Sequence, residues 1–363
     1  MALAVNVLDF TRVLAGPLCS MILGDLGAHV IKVERPGGGD ETRGWGPPFD
    51  ASGESAYFLS VNRNKKSVAA DLESAEDRAL VMRLLSEADV VVDNFLPGSL
   101  ARLGFDRDRI LADHTSLVWC TISGYGPETR RPGYDFVTQA ESGWMAITGP
   151  VDGPPMKVGV ALADVIAGKD AAIAILAALA SRSGGLALEN RRIDISLADS
   201  ARGALVNVAQ NVLVSGSDAS RWGNAHPNLV PYQLFEAADR PFVIAVGSDE
   251  QWRTCALALD LKELADDAGL ATNAGRIANR ARVVDSISER VRQRSAEDWI
   301  QRLKSKGIAC GLVRTVAEAL ADTAASPETG LPSSVPGTVR MRPPRLDEHG
   351  EELRALGWRA FQR

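Results

Sequence analysis

The pattern of strand, helix and strand in this protein is first seen in "AVNVLDF" (residues 4–10), "PLCSMILGDLG" (17–27) and "HVIKVER" (29–35). Helix and strand patterns alternate again further along, in "AEDRALVMRLLSEA" (75–88), "DVVVDNF" (89–95) and "SLVWCTIS" (116–123). Strands that alternate with helical segments are typical of a parallel sheet covered by helices. The first third of the chain therefore predicts an α/β fold with a Rossmann-like domain.

The composition changes after about residue 200. The segment "SGSDASRWGNAHPNLVPY" (215–232) is rich in Gly, Ser, Asn and Pro, which indicates a linker. We predict a large domain at residues 1–200, a linker at 201–228 and a smaller α+β domain at 229–321. In the smaller domain we expect strands at "PFVIAVG" (241–247) and "CGLVR" (310–314), a helix near "DEQWRTCALAL" (249–259) and a helical region at about 275–305.

The whole-chain composition excludes several classes of protein. A formal net charge of -6 over 363 residues argues against nucleic acid as a partner. The four cysteines and four histidines are scattered, which indicates free thiols in a reducing compartment and no metal site. The apolar run "AAIAILAALA" (171–180) is half of the roughly 20 residues that a membrane span needs. "MALAVNVLDF" (1–10) reads as a first strand, not a signal peptide. We expect a cytoplasmic protein with no membrane partner.

One carboxylate interrupts the apolar stretch "VGVALADVIAG" (158–168), and it belongs to Asp164. A buried charge is costly unless it is paired or hydrogen-bonded, so its presence needs a reason. One interpretation is a helix N-cap, with the helix running from Val165 through "KDAAIAILAALA" (169–180). The other is a nucleophile or acid–base group in a glycine-flanked site.

Common enzyme motifs are missing from the sequence. The first strand is not followed by GxGxxG, and neither GxxxxGK[ST] nor GxSxG occurs. No Cys stands beside a His. A nicotinamide oxidoreductase, a P-loop protein and the usual acyl-enzyme hydrolases are therefore disfavoured.

Six motifs resemble one known family, and they occur in its order and with compatible spacing. They are "VLDFTRVLAGP" (7–17), "LGDLGAHVIKVERPGGGD" (23–40), "NRNKKSVAADL" (62–72), "DVVVDNFLPGSLARLGF" (89–105), "GYDFVTQAESG" (133–143) and "ALADVIAG" (161–168). The chain resembles the family III coenzyme A transferases, the group of formyl-CoA transferase and carnitine CoA-transferase.

The resemblance implies a nucleophilic role for Asp164. Its carboxylate would attack an acyl-CoA thioester to give a mixed anhydride, and CoA would return to form an aspartyl-CoA thioester for an acceptor acid. Each step exchanges one activated carboxyl for another, so acyl-CoA and a free carboxylic acid are the substrates and no permanently bound cofactor is expected. The family also implies a large domain completed by residues from about 322 to 363, and an interlocked homodimer.

The resemblance also assigns CoA-binding positions. They are Leu14, Ala15, Arg35, Ala70, Asp71, Leu72, Asn94, Phe95, Arg102, Tyr134 and Asp135. Arg35 and Arg102 match phosphate contacts, and Asn94 with Phe95 matches the adenine neighbourhood, as the charges and the flat base of CoA require. Judged from the residues alone, the two arginines read as surface charges and Phe95 as core. Lys65 and Lys66 read as solvated.

Tyr134 helps to distinguish the transferases from the racemases of the same superfamily. The α-methylacyl-CoA racemases pair the same Asp with a His 30 positions earlier, and here that position is Tyr134. Tyrosine, with a reference pKa of about 10, is a poor general base at neutral pH. A transferase is favoured, and a racemase-like isomerase and a catalytically silent CoA-binding protein remain the alternatives.

The acceptor is expected to be a dicarboxylate. The formyl-CoA and oxalate enzymes carry a run of glycines where "RWGNAHPNLVPYQLF" (221–235) has one, and "GNAHPNLVPY" (223–232) resembles the branch that uses succinate, glutarate, malate or itaconate. A second carboxylate needs a cation. Arg43 in "TRGWG" (42–46) is our candidate, with Trp45 shaping the acyl pocket; the alternative for Arg43 is a solvated loop residue.

Overall fold

The computed structural model describes residues 3–182 and 187–362. Among these residues, six strands form one parallel sheet in the order β3-β2-β1-β4-β5-β6. The strands are β1 (Asn6–Asp9), β2 (His29–Glu34), β3 (Lys65–Ala69), β4 (Val90–Asp93), β5 (Val118–Ser123) and β6 (Arg192–Ser196). The strand order reverses between β1 and β4, which makes that point the expected ligand crevice of an open α/β sheet. The predicted α/β class is confirmed.

Helices and short 3-10 turns connect these strands. The helices are α1 (Ala15–Asp25), α2 (Ala56–Leu59), α3 (Ala75–Ser86), α4 (Ser99–Arg102), α5 (Arg107–Asp113), α6 (Asp135–Glu141), α7 (Trp144–Ile147), α8 (Leu162–Ala180), α9 (Leu188–Arg191), α10 (Leu197–Gly203), α11 (Val206–Ser215) and, near the C-terminus, α18 (Gly350–Leu356). Short 3-10 helices lie at Glu41–Gly44 and Gly357–Phe361. No helix in the described segments is long and apolar enough to cross a membrane.

Both faces of the sheet are covered by helices. Successive residues of a strand point to opposite faces, so each strand contributes side chains to both layers. Leu8 packs on one side in a cluster that includes residues of α3 and α18. Val7 packs on the other side with residues of α1 and α8. Both residues are fully buried. The strands therefore read as nearly continuous apolar runs, as is usual for a parallel sheet.

The chain divides into two compact units. The first comprises residues 1–145, 157–217 and 323–363, and the second comprises 146–156 and 218–322. Among the described residues of the second unit, an antiparallel sheet has the order β7-β8-β9. Its strands are β7 (Tyr232–Glu236), β8 (Pro241–Ala245) and β9 (Ala309–Leu312). Its helices are α12 (Asp249–Ala258), α13 (Lys262–Ala265), α14 (Asn273–Ala278), α15 (Arg280–Val291), α16 (Ala296–Lys304) and α17 (Val316–Leu320), with a 3-10 turn at Ala268–Leu270.

The segment predicted as a linker is partly helical. Within residues 201–228, α11 occupies Val206–Ser215 and ends at Gly216, which has a φ of 68°. Glycine adopts this left-handed conformation readily and often ends a helix. The structure also groups residues 146–156 with the second unit, although the sequence placed them in the large domain.

The expectation that Lys65 and Lys66 are solvated is wrong. Lys65 is fully buried, and its ammonium donates to Asp9, Asn62 and the carbonyl of Pro17. Lys66 bonds to Glu352 and to the carbonyl of Ala360 in the C-terminal segment. Burial lowers the pKa of Lys65 to about 8, although the Asp9 carboxylate opposes that shift. Both lysines belong to β3, a strand that sequence reasoning did not identify.

Candidate active site

Two adjoining clefts lie along the carboxyl edge of the parallel sheet. The first, which we call the switch-point cleft, has a volume of about 250 Å³. It contains six of the predicted site residues: Leu14, Ala15, Asn94, Phe95, Tyr134 and Asp164. Leu14 follows β1 and Asn94 follows β4, so this cleft lies where the strand order reverses. Its position agrees with the rule for ligand sites in open α/β sheets.

The second cleft, the β2–β3 cleft, also has a volume of about 250 Å³. It contains five predicted residues: Arg35, Ala70, Asp71, Leu72 and Phe95. Phe95 and Arg12 line both clefts. The structure therefore brings most of the predicted positions to one edge of the sheet, with Arg35 in the β2–β3 cleft, Asn94 and Asp164 in the switch-point cleft, and Phe95 lining both.

Asp164 lies in the first turn of α8 and does not cap it. The helix begins at Leu162, and the cap position Ala161 makes no side-chain hydrogen bond. The capping carboxylate is instead that of Asp135, which accepts from the amide of Ala163 (2.8 Å) and from that of Asp164 (3.4 Å). The N-cap interpretation of Asp164 is therefore wrong. Because Asp135, 29 positions earlier, caps the helix, the Asp164 carboxylate is available for another role.

The electrostatics of Asp164 fit a reactive group. Burial, and then the negative charge of Asp135, raise the pKa of Asp164 to about 7. Its carboxylate receives no hydrogen bond and forms no ion pair within the described ranges 3–182 and 187–362. A carboxylate that is poorly stabilised by its surroundings is a better nucleophile than a paired one, and such perturbed groups cluster at functional sites.

We expect Asp135→Asn to move the pH dependence of turnover. The asparagine oxygen can still accept from the Ala163 amide, but the charge that raises the pKa of Asp164 is gone. If Asp164 is the nucleophile, as predicted, it must be ionised to react, so the acid limb of kcat/KM should shift to lower pH. Asp135→Ala is the comparison, because it removes the cap as well and should cost about 1 kcal/mol of stability. An unchanged acid limb in Asp135→Asn would contradict this electrostatic coupling.

The Asn94 side chain holds the backbone of Arg12, a contact that the sequence did not indicate. Its side-chain oxygen accepts from the amide of Arg12 (3.0 Å), and its side-chain nitrogen donates to the carbonyl of Arg12 (2.7 Å). The Arg12 guanidinium then lies 5.5 Å from the centre of the Phe95 ring. Arg12 also pairs with Glu41 at 3.2 Å. Sequence reasoning missed Arg12, although its place directly after β1 was a usable signal.

Four predicted residues line neither cleft: Asp135, whose carboxylate caps α8, and Arg43, Trp45 and Arg102. Arg102, at the end of α4, is exposed and donates to Ser99 at 3.3 Å. Trp45 is 44% exposed and packs edge-on against Tyr57, with 5.2 Å between ring centres. Burial, and then the nearby charge of Asp164, raise the pKa of Tyr57 to about 12. Tyr57 is therefore electrostatically close to Asp164, and no motif in the sequence pointed to it.

Arg43 is a structural residue in this protein. Its guanidinium makes two hydrogen bonds to Glu34 (2.9 and 2.7 Å) and one to Glu54 (2.7 Å). It also donates to the carbonyl of Pro344 and lies 3.6 Å from the Phe58 ring centre. The side chain is buried and each of its three nitrogens donates to a protein group, so the structure does not support Arg43 as the residue that binds a substrate carboxylate. The structure contradicts both predictions for Arg43, that it binds the second carboxylate of the substrate and that it is a solvated loop residue.

In the part of the chain that the structure describes, no group of three or more His, Cys, Asp or Glu side chains is arranged to hold a metal ion. The described cysteines are all free thiols. The switch-point cleft contains the free carboxylate of Asp164, Tyr134 and the guanidinium groups of Arg12 and Arg131, which suit covalent exchange on a polyanionic ligand.

Comparisons with known proteins agree with this chemistry. Residues 4–349 match the family model for CoA-transferase family III. The chain is 42% identical over 322 residues to a succinyl-CoA:glutarate CoA-transferase from Mus musculus, covering 88% of this chain and 73% of that protein. It is 42% identical over 328 residues to a succinate–glutarate CoA-transferase from Agrobacterium fabrum, covering 88% of this chain and 81% of that protein.

A solved structure shows the same fold. The crystal structure of a CaiB/BaiF family protein from Brucella suis matches with a TM-score of 0.84 and 41% identity, covering 97% of this chain and 98% of that one. The predicted resemblance is confirmed. The chain belongs to CoA-transferase family III and is an enzyme that transfers CoA between an acyl-CoA thioester and a free carboxylic acid.

Proposed function

We propose that this enzyme moves CoA between dicarboxylic acids of four or five carbons, such as succinate and glutarate, with Asp164 as the nucleophile. The observation that carries the mechanism is the unpaired Asp164 carboxylate in the switch-point cleft, with a pKa of about 7. The acceptor class is supported by the names of the relatives from Mus musculus and Agrobacterium fabrum.

The reaction consists of carboxyl exchanges. An Asp164 oxygen attacks the thioester carbonyl, the C–S bond breaks, and a mixed anhydride and CoA thiolate form. The thiolate attacks the Asp164 carbonyl carbon and displaces the donor acid as a carboxylate. The acceptor carboxylate then attacks the aspartyl-CoA thioester and releases the thiolate again, which finally attacks the acceptor carbonyl and frees Asp164. Nothing is oxidised or reduced. The covalent intermediates divide one difficult exchange into several easier steps.

The two clefts divide the binding of CoA between them. In this proposal Arg35 and the Phe95 ring hold the nucleotide in the β2–β3 cleft, and the thioester reaches Asp164 in the switch-point cleft. Leu14 and Ala15 line that cleft at the first turn of α1. Tyr134, which directly precedes α6, is 59% exposed and lines the same cleft, at the position where a racemase would need a base.

The functional unit in this proposal is a homodimer. α11, all of which is described, contains no buried residue in the single chain. Val206, Leu213 and Val214 on this helix are 70–77% exposed. An apolar helix is seldom left open to water, and a contiguous apolar face marks an interface. A second copy of the chain is the partner that the family resemblance implies.

A panel of substrates tests the proposal. Purified protein with succinyl-CoA is expected to form a new thioester with glutarate, and to use monocarboxylates of similar length less well. Mass spectrometry of the CoA esters provides the readout. Solvent deuterium entering the α-carbon of a 2-methylacyl-CoA without CoA exchange would support a racemase instead. CoA binding without turnover on any acid would indicate a silent binding protein.

A further inference from the structure

Residues 11–13, which we call the strap, lie in the connection between β1 and α1. Their backbone N–H and C=O groups bond to side chains and not to the backbone of a helix or sheet. The contacts are Thr11 N to Asp9 (2.8 Å), the Thr11 carbonyl to Lys32 (2.7 Å), Arg12 N to Asn94 (3.0 Å), the Arg12 carbonyl to Asn94 (2.7 Å) and Val13 N to Asp40 (3.3 Å). Loop backbone usually bonds to water or to other backbone, so this arrangement restricts the strap unusually strongly.

Val13 is the strained point of the strap. Its φ is 72°, a left-handed conformation that a β-branched residue rarely adopts. Such conformations persist only where the surrounding structure enforces them, and they concentrate at functional sites. The group that bonds to its amide is Asp40.

Asp40 belongs to a fully buried ion pair. One of its oxygens accepts from Val13 N and from the amide and hydroxyl of Thr42, and the other accepts from the ammonium of Lys32 at 3.1 Å. The side chains of Asp40 and Lys32 are both inaccessible to solvent. A buried ion pair is often no more stabilising than apolar residues of the same size, so stability alone is a weak explanation for this one.

The strap is linked to α8, the helix that carries Asp164, through α1, and a glycine lies at each of the two contacts. A Cβ on Gly16 would lie 2.3 Å from the Cβ of Thr11, so the strap rests directly on the first turn of α1. A Cβ on Gly168 would lie 2.5 Å from the carbonyl oxygen of Ala15. Gly168 is one helical turn after Asp164 on α8. A shift of the strap would therefore change the position of Leu14 and Ala15 relative to Asp164.

We propose that Asp40, with Lys32 as its counter-ion, is a positioning residue for CoA transfer. It holds Val13 in the left-handed conformation and thereby keeps Leu14 and Ala15 in place beside Asp164. This inference rests on the proposed function, because the effect that it predicts is a change in the rate of turnover at Asp164. The competing explanation is that the buried pair serves only the stability of the fold.

The test uses Asp40→Asn, Val13→Gly and the double variant. Asparagine has a single oxygen, which the charged Lys32 will take, so the Val13 amide loses its acceptor. We expect kcat to fall about 100-fold, while the dissociation constant of CoA measured by calorimetry changes less than about threefold. Glycine adopts positive φ without a side-chain penalty. The double variant should therefore recover at least about tenfold in kcat over Asp40→Asn.

A structural role alone predicts the opposite for the double variant, because glycine adds chain entropy to an already weakened fold. A double variant no more active than Asp40→Asn would overturn the proposal, and so would full activity of Asp40→Asn. If Asp40→Asn does not fold, Asp40→Glu replaces it in the same cycle, because it keeps the charge for Lys32 but moves the oxygen away from Val13. Wild-type protein without transferase activity would refute the proposed function, not this inference.

Asp25→Asn is the matched control. Asp25 is buried and pairs with Arg63 at 2.7 Å, but it stands at the far end of α1 and bonds to no residue of the strap. This variant should lose stability as Asp40→Asn does, while kcat at a temperature where it is folded stays near the wild-type value. Val13→Gly should produce no recovery in the Asp25→Asn background, and a recovery there would contradict the specific link to Asp40.

Discussion

Asp164→Asn is expected to reduce CoA transfer by at least about 1,000-fold and to leave CoA binding nearly unchanged. In the proposed mechanism Asp164 carries the covalent intermediates, and an amide in its place cannot form an anhydride or a thioester. The proposed nucleotide contacts of Arg35 and Phe95 lie in the β2–β3 cleft and are untouched by the substitution. Steady-state transfer and calorimetric binding of CoA check the two parts. In wild-type protein, hydroxylamine added during turnover should give a hydroxamate at Asp164, and labelling of another residue would place the nucleophile elsewhere.

The same variant should be more stable than the wild type at high pH. Burial and Asp135 raise the pKa of Asp164 from 3.8 to about 7, so ionising this group weakens the folded state. The penalty is absent below about pH 4, grows as the pH rises and is complete above about pH 7. Asparagine does not ionise, so the stability advantage of the variant should grow by about 2 kcal/mol between pH 5 and pH 8. Urea unfolding at both pH values measures it, and a difference independent of pH would contradict the perturbed pKa.

Gly168→Ala is expected to cost both stability and turnover. The added Cβ would lie 2.5 Å from the backbone oxygen of Ala15, which cannot rotate away as a flexible side chain could. Helix α8 must then move away from α1, at a cost of about 1–3 kcal/mol that outweighs the helix propensity of alanine. Because Asp164 is one turn away, a displacement of about 1 Å should lower kcat about 100-fold. Thermal unfolding and steady-state kinetics provide the two readouts.

Gly203→Ala is the control for this substitution. Gly203 ends α10, and a Cβ there would have no heavy atom within 4 Å. We expect the stability and kcat of this variant to remain near those of the wild type. Wild-type kcat in Gly168→Ala would show that the contact between α1 and α8 does not position Asp164.

The strand–helix alternation in residues 4–35 was enough to predict the parallel sheet, because a buried parallel strand and its crossover helix both leave a local pattern in the sequence. The motif "ALADVIAG" also singled out Asp164 without any structure, because an isolated carboxylate in an apolar stretch is unusual. These signals are local, since they depend on residues within a few positions of one another.

Which charged side chains pair with one another depends on the tertiary structure. Lys65 is buried against Asp9, 56 positions away, and Asn94 holds Arg12 across 82 positions. Asp135 caps α8 in place of Asp164, and Arg43 is enclosed by Glu34 and Glu54. A charged side chain looks the same in the sequence whether it is solvated, paired or catalytic. Its role depends on which partner the fold brings within about 3 Å, and that distance has no signature in a local pattern.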